Sequence, residues 1–290
     1  MGLKAKFNIV MLAAFCIGLG LAALLSYQIV QSHARQEVLQ IARLMMESAR
    51  AIRSYTVSEI TPLIADQMQV RFLPHSVPSW AAQTNLQKLG DPFTHYIYKE
   101  AALNPTNPAD RATDWEADII NVFRRDASLT EFVLERNAAT GASLTLSRPL
   151  RITDANCLTC HSSPAAAPAT MVDLYGSGNG FGWKMDEVIG AQVVSVPMAL
   201  ALDKANQEFL VFLGGLAAVF AAMMLLLNLL LHCLIIKPVG RISAIAEEVS
   251  TGNMDIPEFT PKGTDEIASL GASFNRMRRS LQKAMQMLEV

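Results

Sequence analysis

FLVFLGGLAAVFAAMMLLLNLLLHCLII, Phe209–Ile236, contains no Asp, Glu, Lys or Arg, and its reading decides how the rest of the chain is divided. A bilayer core of ~30 Å is crossed by about 20 apolar helical residues, so this segment is long enough to span one. A buried core helix is the competing reading, and the length and absence of charge argue against it. The pattern recurs between Lys6 and Arg35, where Ile9 to Leu25 is almost wholly Leu, Ala, Ile, Val, Met, Phe and Gly. Lys4 and Lys6 ahead of that run, with Ser32-His33-Ala34 behind it, loosely resemble a secretory signal and its cleavage site. The apolar stretch nevertheless exceeds the ~7–15 residues of a signal, so an uncleaved anchor is expected. An apolar share of 51% with positive mean hydropathy exceeds what soluble domains usually carry, in keeping with two spans.

Flanking charge sets the expected orientation. Lys4 and Lys6 precede the first run, and Lys237 and Arg241 follow the second, which places both termini in the cytoplasm. The expected partition is a cytoplasmic tail (1–8), a first span (9–30), an external domain (31–207), a second span (208–236) and a cytoplasmic module (237–290). Lys and Arg total 24 against 26 Asp and Glu, with no basic run, so nucleic acid is not an expected partner; membrane lipid is.

Of the four cysteines, Cys16 and Cys233 lie in the apolar runs, where they read as small packing residues. The other two stand in Asn156-Cys157-Leu158-Thr159-Cys160-His161, which has the C-x-x-C-H form of covalent haem attachment. Two thiols at that spacing reach the two vinyl groups of a porphyrin, and an imidazole immediately after them supplies the proximal iron ligand. A zinc site would need a second Cys/His pair, and none stands outside the apolar runs. A thioredoxin-like pair would open a helix after a strand, but Ser162-Ser163-Pro164 cannot begin a long one. A Cys157–Cys160 disulfide leaves His161 unexplained. Covalent haem attachment occurs on the periplasmic side, which agrees with the external placement of this segment. One haem c is therefore expected, bound through Cys157, Cys160 and His161, on the periplasmic face of a bacterial inner membrane.

The sixth iron position is open. His75, His95, Met68, Met171, Met185 and the pair Met45-Met46 are candidates, although Met is more often core filler and a lone His a surface residue. His75 comes first, because the prolines of Leu73-Pro74-His75-Ser76-Val77-Pro78 are expected to hold it on a stiff extended segment. Five-coordinate iron is the alternative.

Around the motif the pattern reads as a small mixed domain. Val38, Ile41, Leu44, Met45, Ala49 and Ile52 step at helical spacing, a stalk continuing the first span. Prolines 62, 74 and 78 are expected to break it into loop and short helical pieces. Asn104-Pro105-Thr106-Asn107-Pro108 is a turn cluster, and Thr113-Asp114-Trp115-Glu116 has the capping-box form of a helix carrying Ile119, Ile120 and Phe123 inward to Arg124-Arg125. Both features have a purely structural reading. Phe132 to Leu134, a turn at Asn137 to Gly141, and Leu144 to Leu146 predict a β-hairpin. Tyr175 to Trp183, with glycines at 176, 178, 180 and 182, reads as a tight aromatic loop set as a lid over the porphyrin. Ile189 to Val196 predicts a last strand, followed from Pro197 by a helix entering the second span.

Beyond Lys237-Pro238, Val239, Ile242, Ala246 and Val249 step by three or four. After a connector with Gly252 and Pro257 the seam resumes at Ile267, Leu270, Phe274, Met277, Leu281, Ala284 and Leu288. Two short amphipathic helices cannot bury their stripes alone, so a homodimer forming a four-helix bundle is expected. Pro238, Gly252 and Asp265-Glu266-Ile267 followed by Leu270, Phe274, Asn275 and Met277 resemble a HAMP domain, the relay module of bacterial membrane receptors. The external segment resembles the PAS-like c-type haem sensor domain found ahead of HAMP modules in proteobacteria and cyanobacteria. That likeness rests on Tyr98 to Ala101, Asn104 to Asn107, Trp115-Glu116, Arg148-Pro149, Cys157 to His161, Tyr175-Gly176, Gly180 to Trp183 and Val196-Pro197. Some members of that family take the sixth ligand from an upstream cysteine, which this external segment lacks.

The fold expected is α+β, a PAS-like periplasmic haem domain between two transmembrane helices followed by a cytoplasmic HAMP bundle. The resemblance implies a receptor that relays haem redox or gas-ligand state across the membrane. Because the sequence stops at Val290, shortly after the HAMP likeness, output is expected in a cytoplasmic signalling partner, unless the module simply holds a dimer together. The other reading is an electron-transfer or accessory c-type cytochrome subunit of a membrane redox complex. No acid, base and nucleophile belong together, so an enzyme is not expected.

Overall fold

The computed structural model describes residues 2–138, 141–260 and 263–288. The chain divides into two compact units, one of residues 28–208 and one of residues 1–27 with 209–290. Its helices are α1 (Leu3–Tyr55), α2 (Thr61–Leu63), α3 (Ala65–Val70), α4 (Pro78–Leu86), α5 (Asp114–Arg125), α6 (Asn156–His161), α7 (Ala169–Tyr175), α8 (Ala199–Leu231), α9 (Lys237–Ser250) and α10 (Glu266–Leu288). Its strands are β1 (Ile97–Ala102), β2 (Phe132–Ala138), β3 (Gly141–Arg151) and β4 (Val188–Pro197).

In residues 28–208 the strands form one antiparallel sheet in the order β1-β4-β3-β2. β4 lies inside it and is buried on both faces, and its side chains alternate as the strand period of two requires. Val194 and Val196 meet α1, where Val38, Ala42, Met45, Met46 and Ala49 pack against them and against Leu144, Leu146 and Tyr98. Ala191 and Val193 meet α5 through Ile119, Ile120 and Phe123. Each large apolar side chain buried in this way contributes roughly 1.5–3 kcal/mol. α1 reaches the sheet as one uninterrupted helix because no proline occurs before Pro62. Salt links from Arg35 to Glu135, Arg43 to Glu131 and Arg148 to Glu47 border its apolar stripe.

The helix carrying Ile119, Ile120 and Phe123 ends at Arg125 as expected, and Glu116 accepts from the backbone N–H of Thr113 at 2.8 Å and from its hydroxyl at 2.9 Å. The hairpin is β2 and β3, but Asn137, Ala138 and Gly141 of its expected turn are paired strand residues; residues 139 and 140 lie outside the described residues. β1 was not foreseen, because Lys99 and Glu100 interrupt an apolar alternation. The pleat sends them to opposite faces, Lys99 to Glu116 of α5 and Glu100 to Arg53 of α1.

The expectation that Pro62 breaks the stalk is corrected. Thr56–Ile60 forms a π-turn in which the Thr61 N–H bonds the Thr56 carbonyl, and the chain stays helical through Leu63. His232–Ile236 does the same ahead of Pro238, the Lys237 N–H reaching the His232 carbonyl. A proline ring crowds the carbonyl four residues back and offers no N–H; the wider π-turn relieves that conflict without ending the helix.

In the second unit, α1 and α8 are long and apolar enough to cross a membrane. They touch through Phe15 stacked on Phe220 at 5.1 Å and Tyr27 edge-on to Phe209 at 5.6 Å. α9 and α10 enclose a small core of Ile242, Val249, Phe259 and Phe274. Phe259 belongs to the connector, and Asn275 holds it by accepting from its N–H at 3.2 Å and donating to its carbonyl at 2.7 Å. Gly271 admits the Phe259 ring where a Cβ would overlap it.

Candidate haem site

α6 begins where Asp154 turns the chain: its carboxylate accepts from the Asn156 N–H at 2.9 Å and its carbonyl from the Cys157 N–H at 3.1 Å. Pro164 prevents extension, so the helix is little more than the motif itself. A spacing of three residues puts Cys157 and Cys160 on one face, about a turn apart. Both are free thiols and half-buried. Burial, and then the Asp154 carboxylate, push the Cys157 thiol above its ordinary value, with the nearby Arg53 guanidinium opposing. Burial likewise raises Cys160. Both therefore remain protonated at neutral pH.

His161 closes the helix with its Nδ1 2.7 Å from the Gly180 carbonyl oxygen. A carbonyl can only accept, so Nδ1 carries the proton and Nε2 the lone pair. Burial lowers the imidazole's affinity for a second proton, with the Gly180 bond opposing, which favours the neutral ring that metals require. Trp183 lies flat against the imidazole, centroids 3.8 Å apart and planes 14° from parallel. The loop carrying both partners is tied to the end of α6 by the Gly182 N–H to the Ser162 carbonyl at 3.1 Å and the Trp183 N–H to the His161 carbonyl at 3.2 Å. The expected aromatic loop is thus present, and it packs on the histidine.

The donor set fits a covalently bound haem. Two free thiols on one helical face suit two thioether links, and the adjacent neutral imidazole has its coordinating nitrogen selected by a backbone bond.

A buried polar cluster adjoins the site. Glu100, its side chain 1% exposed, pairs with Arg53 and accepts from the Tyr98 hydroxyl at 2.7 Å, while Gln192 donates to that hydroxyl at 2.9 Å. An unpaired carboxylate at that depth would be severely destabilising, so Arg53 is required by Glu100. Burial raises the Tyr98 hydroxyl and keeps it protonated.

The candidates for a sixth ligand are scattered. His75 is exposed and edge-on to Trp80 at 4.7 Å. It sits in a 3₁₀ turn, Pro74–Ser76, rather than on the extended segment expected, since the proline φ also suits the first position of a tight helical turn. Met45 and Met46 are sheet-core residues. The Met68 sulfur accepts from the Leu73 N–H at 3.1 Å, and its carbonyl accepts from Thr170 of α7 at 3.3 Å. Met171 is buried, and Met185 and His95 are exposed. Sequence reasoning missed the roles of Trp183, the Gly180 carbonyl and Arg53. The glycine-spaced aromatic loop was the one available signal, and it named no partner.

The family described as Tll0287-like matches residues 31–197, and the HAMP domain family matches residues 234–283. Among solved structures, the cyanobacterial heme-protein Tll0287 aligns at 16% identity and a TM-score of 0.43, over 56% of this chain and 95% of that one. None of the curated proteins matches.

Proposed function

The chain belongs to the Tll0287-like family and carries a HAMP domain after that region, and from this premise we propose that it is a membrane-anchored haem sensor signalling through the HAMP helices. Cys157 and Cys160 hold one haem c by thioether links, and His161 is the proximal ligand. The domain of residues 31–207 faces the periplasm, both termini are cytoplasmic, and the protein works as a homodimer. The observation that carries the reading is the Nδ1 bond of His161 to Gly180 beside two free thiols a helical turn apart.

When bound, the haem supplies an iron whose charge and ligation change with redox state or a gas. His161 is presented in one tautomer with its ring plane set by Trp183. Trp183 and the Gly180–Gly182 backbone cover one side of the imidazole and keep water from competing for Nδ1. Displacement at the site has two continuous routes along the chain. α1 carries Arg53, packs on the sheet and includes the first apolar run, while β4 leads through Pro197 and Met198 into α8. Coupling of this kind is typically worth about 1–3 kcal/mol, enough to tip helix packings that have discrete alternative arrangements.

The test is to mature the full chain in a host with c-type haem assembly and stain it for peroxidase activity on a denaturing gel. Acid-stable stain is expected, and its absence overturns the proposal. Cys157→Ser with Cys160→Ser removes the stain. His161→Ala is expected to abolish the response of α9 and α10 to reduction or nitric oxide, read by cross-linking between copies; an intact response counts against the sensor. Rapid oxidation by a respiratory complex would instead favour an electron carrier. His75→Ala decides the sixth position: conversion to a five-coordinate spectrum assigns His75, and an unchanged spectrum removes it.

A further inference from the structure

We infer that the turn Asn104-Pro105-Thr106 is a positioning element for His161, acting through the Gly180–Trp183 loop, so that a segment distant in sequence from the cysteine motif but packed beside it tunes the electron-donating power of the proximal ligand. The inference rests on the haem reading above.

The loop touches this turn on one side and the imidazole on the other. The Asn104 Oδ1 accepts from the Gly180 N–H at 3.3 Å, while the Gly180 carbonyl accepts from the His161 Nδ1 at 2.7 Å. Thr106 Oγ1 stands 3.4 Å from the same Nδ1. Gly180 has φ +82°, a conformation L side chains rarely adopt, and a Cβ there would overlap the backbone and side chain of Thr106. Turn and loop are therefore in direct contact with no space between them. Beyond Gly180 the loop is held to α6 by the Gly182 and Trp183 N–H bonds, and the indole lies on the ring.

A donor bond from Nδ1 to a carbonyl moves electron density into the ring and makes Nε2 a more basic ligand. A more basic ligand favours ferric over ferrous iron. Loosening the carbonyl must therefore raise the midpoint potential while leaving both thioether links in place. Gly180→Ala forces the loop off Thr106, Asn104→Ala releases the Gly180 N–H, and Trp183→Leu removes the flat surface on which the ring rests. Trp183→Phe restores an aromatic face.

The experiment is a redox titration of the haem-loaded full chain in each variant, paired with ¹⁵N imidazole NMR of His161 in haem-free chain. Expected are retained gel stain throughout and an upward shift of potential in the order Gly180→Ala, Trp183→Leu, Asn104→Ala, with Trp183→Phe close to the parent. In haem-free chain the parent shows Nδ1 protonated, and Gly180→Ala shows mixed tautomers. Folded, stained variants with unchanged potential and tautomer overturn the inference. Should Gly180→Ala fail to fold, Asn104→Ala and Trp183→Leu decide it. An unstained parent sinks the haem reading, and the tautomer measurement still tests the positioning role.

Discussion

In residues 28–208 the sheet covers Val38, Ala42, Met45, Met46 and Ala49 of α1, while Leu44 of the expected stripe is 69% exposed, and the buried Glu100 has Arg53 and Tyr98 as partners. The α9–α10 pair is different. Ile242, Val249 and Phe274 close inward on Phe259, yet Leu270, Met277 and Leu281 of the same expected seam are 49%, 59% and 43% exposed. Both regions leave apolar side chains exposed, Leu63, Val70 and Leu200 in the first among them; what separates them is that the first also holds fully buried clusters on both faces of its sheet, while the second has one small cluster. A domain that must hold a site to a fraction of an ångström benefits from a self-sufficient core. A relay benefits from a packing so nearly balanced that a small input changes it.

All three tryptophans, Trp80, Trp115 and Trp183, lie in residues 28–208, so their fluorescence in the full chain reports on the sheet region alone. The largest effect is expected from Leu146→Ala, which empties a fully buried position between α1 and the sheet. It should cost about 2–5 kcal/mol in denaturant unfolding followed by tryptophan emission, independent of protein concentration. Asn275→Ala removes both bonds to Phe259 and leaves its backbone groups buried without partners, a cost of about 1–3 kcal/mol. Proteolysis of the 251–265 connector should speed up while tryptophan unfolding stays where it was. Leu270→Glu touches a face exposed in the single chain, so it should leave both monomer measurements unchanged. It should weaken association between copies at least about tenfold, or roughly 1.4 kcal/mol, by analytical ultracentrifugation in detergent; unaltered association would mean that this face is not the one that pairs.

The smallest effect concerns pH. Burial, opposed by the Gln83 bond, raises the Asp110 carboxyl above its ordinary 3.8. A carboxyl raised in the folded state binds its proton more tightly there than when unfolded, so stability falls as pH rises from 3.8 through the raised value. Asp110→Asn can keep the acceptor for Gln83 and removes the titration. The variant should match the parent below pH 3.8 and be slightly more stable above the raised value, in the tryptophan signal only.

Several elements could be read before any fold was known because their information is local. The apolar runs, the Thr113–Glu116 cap, the stripe of α5 and the C-x-x-C-H motif each depend on residues within a turn or two, where helical spacing decides which side chains share a face. The strand β1 was not of this kind. Its Lys99 and Glu100 look like solvent residues until the sheet sends them into α5 and α1. The π-turns before Pro62 and Pro238 escaped notice because a proline reads as a stop, whereas a helix held at both ends absorbs it.

What the sequence determined by itself was therefore composition and period: where the chain is apolar enough for lipid, where it coils, and which three residues carry the candidate chemistry. What only the tertiary structure decided was partnership. Gly180 and Trp183 lie some twenty residues from His161 and Asn104 more than fifty, and nothing in their spacing says that they meet. Contacts at that separation depend on how loops close over a packed sheet, and side chains that acquire their meaning from such contacts have no periodic signature.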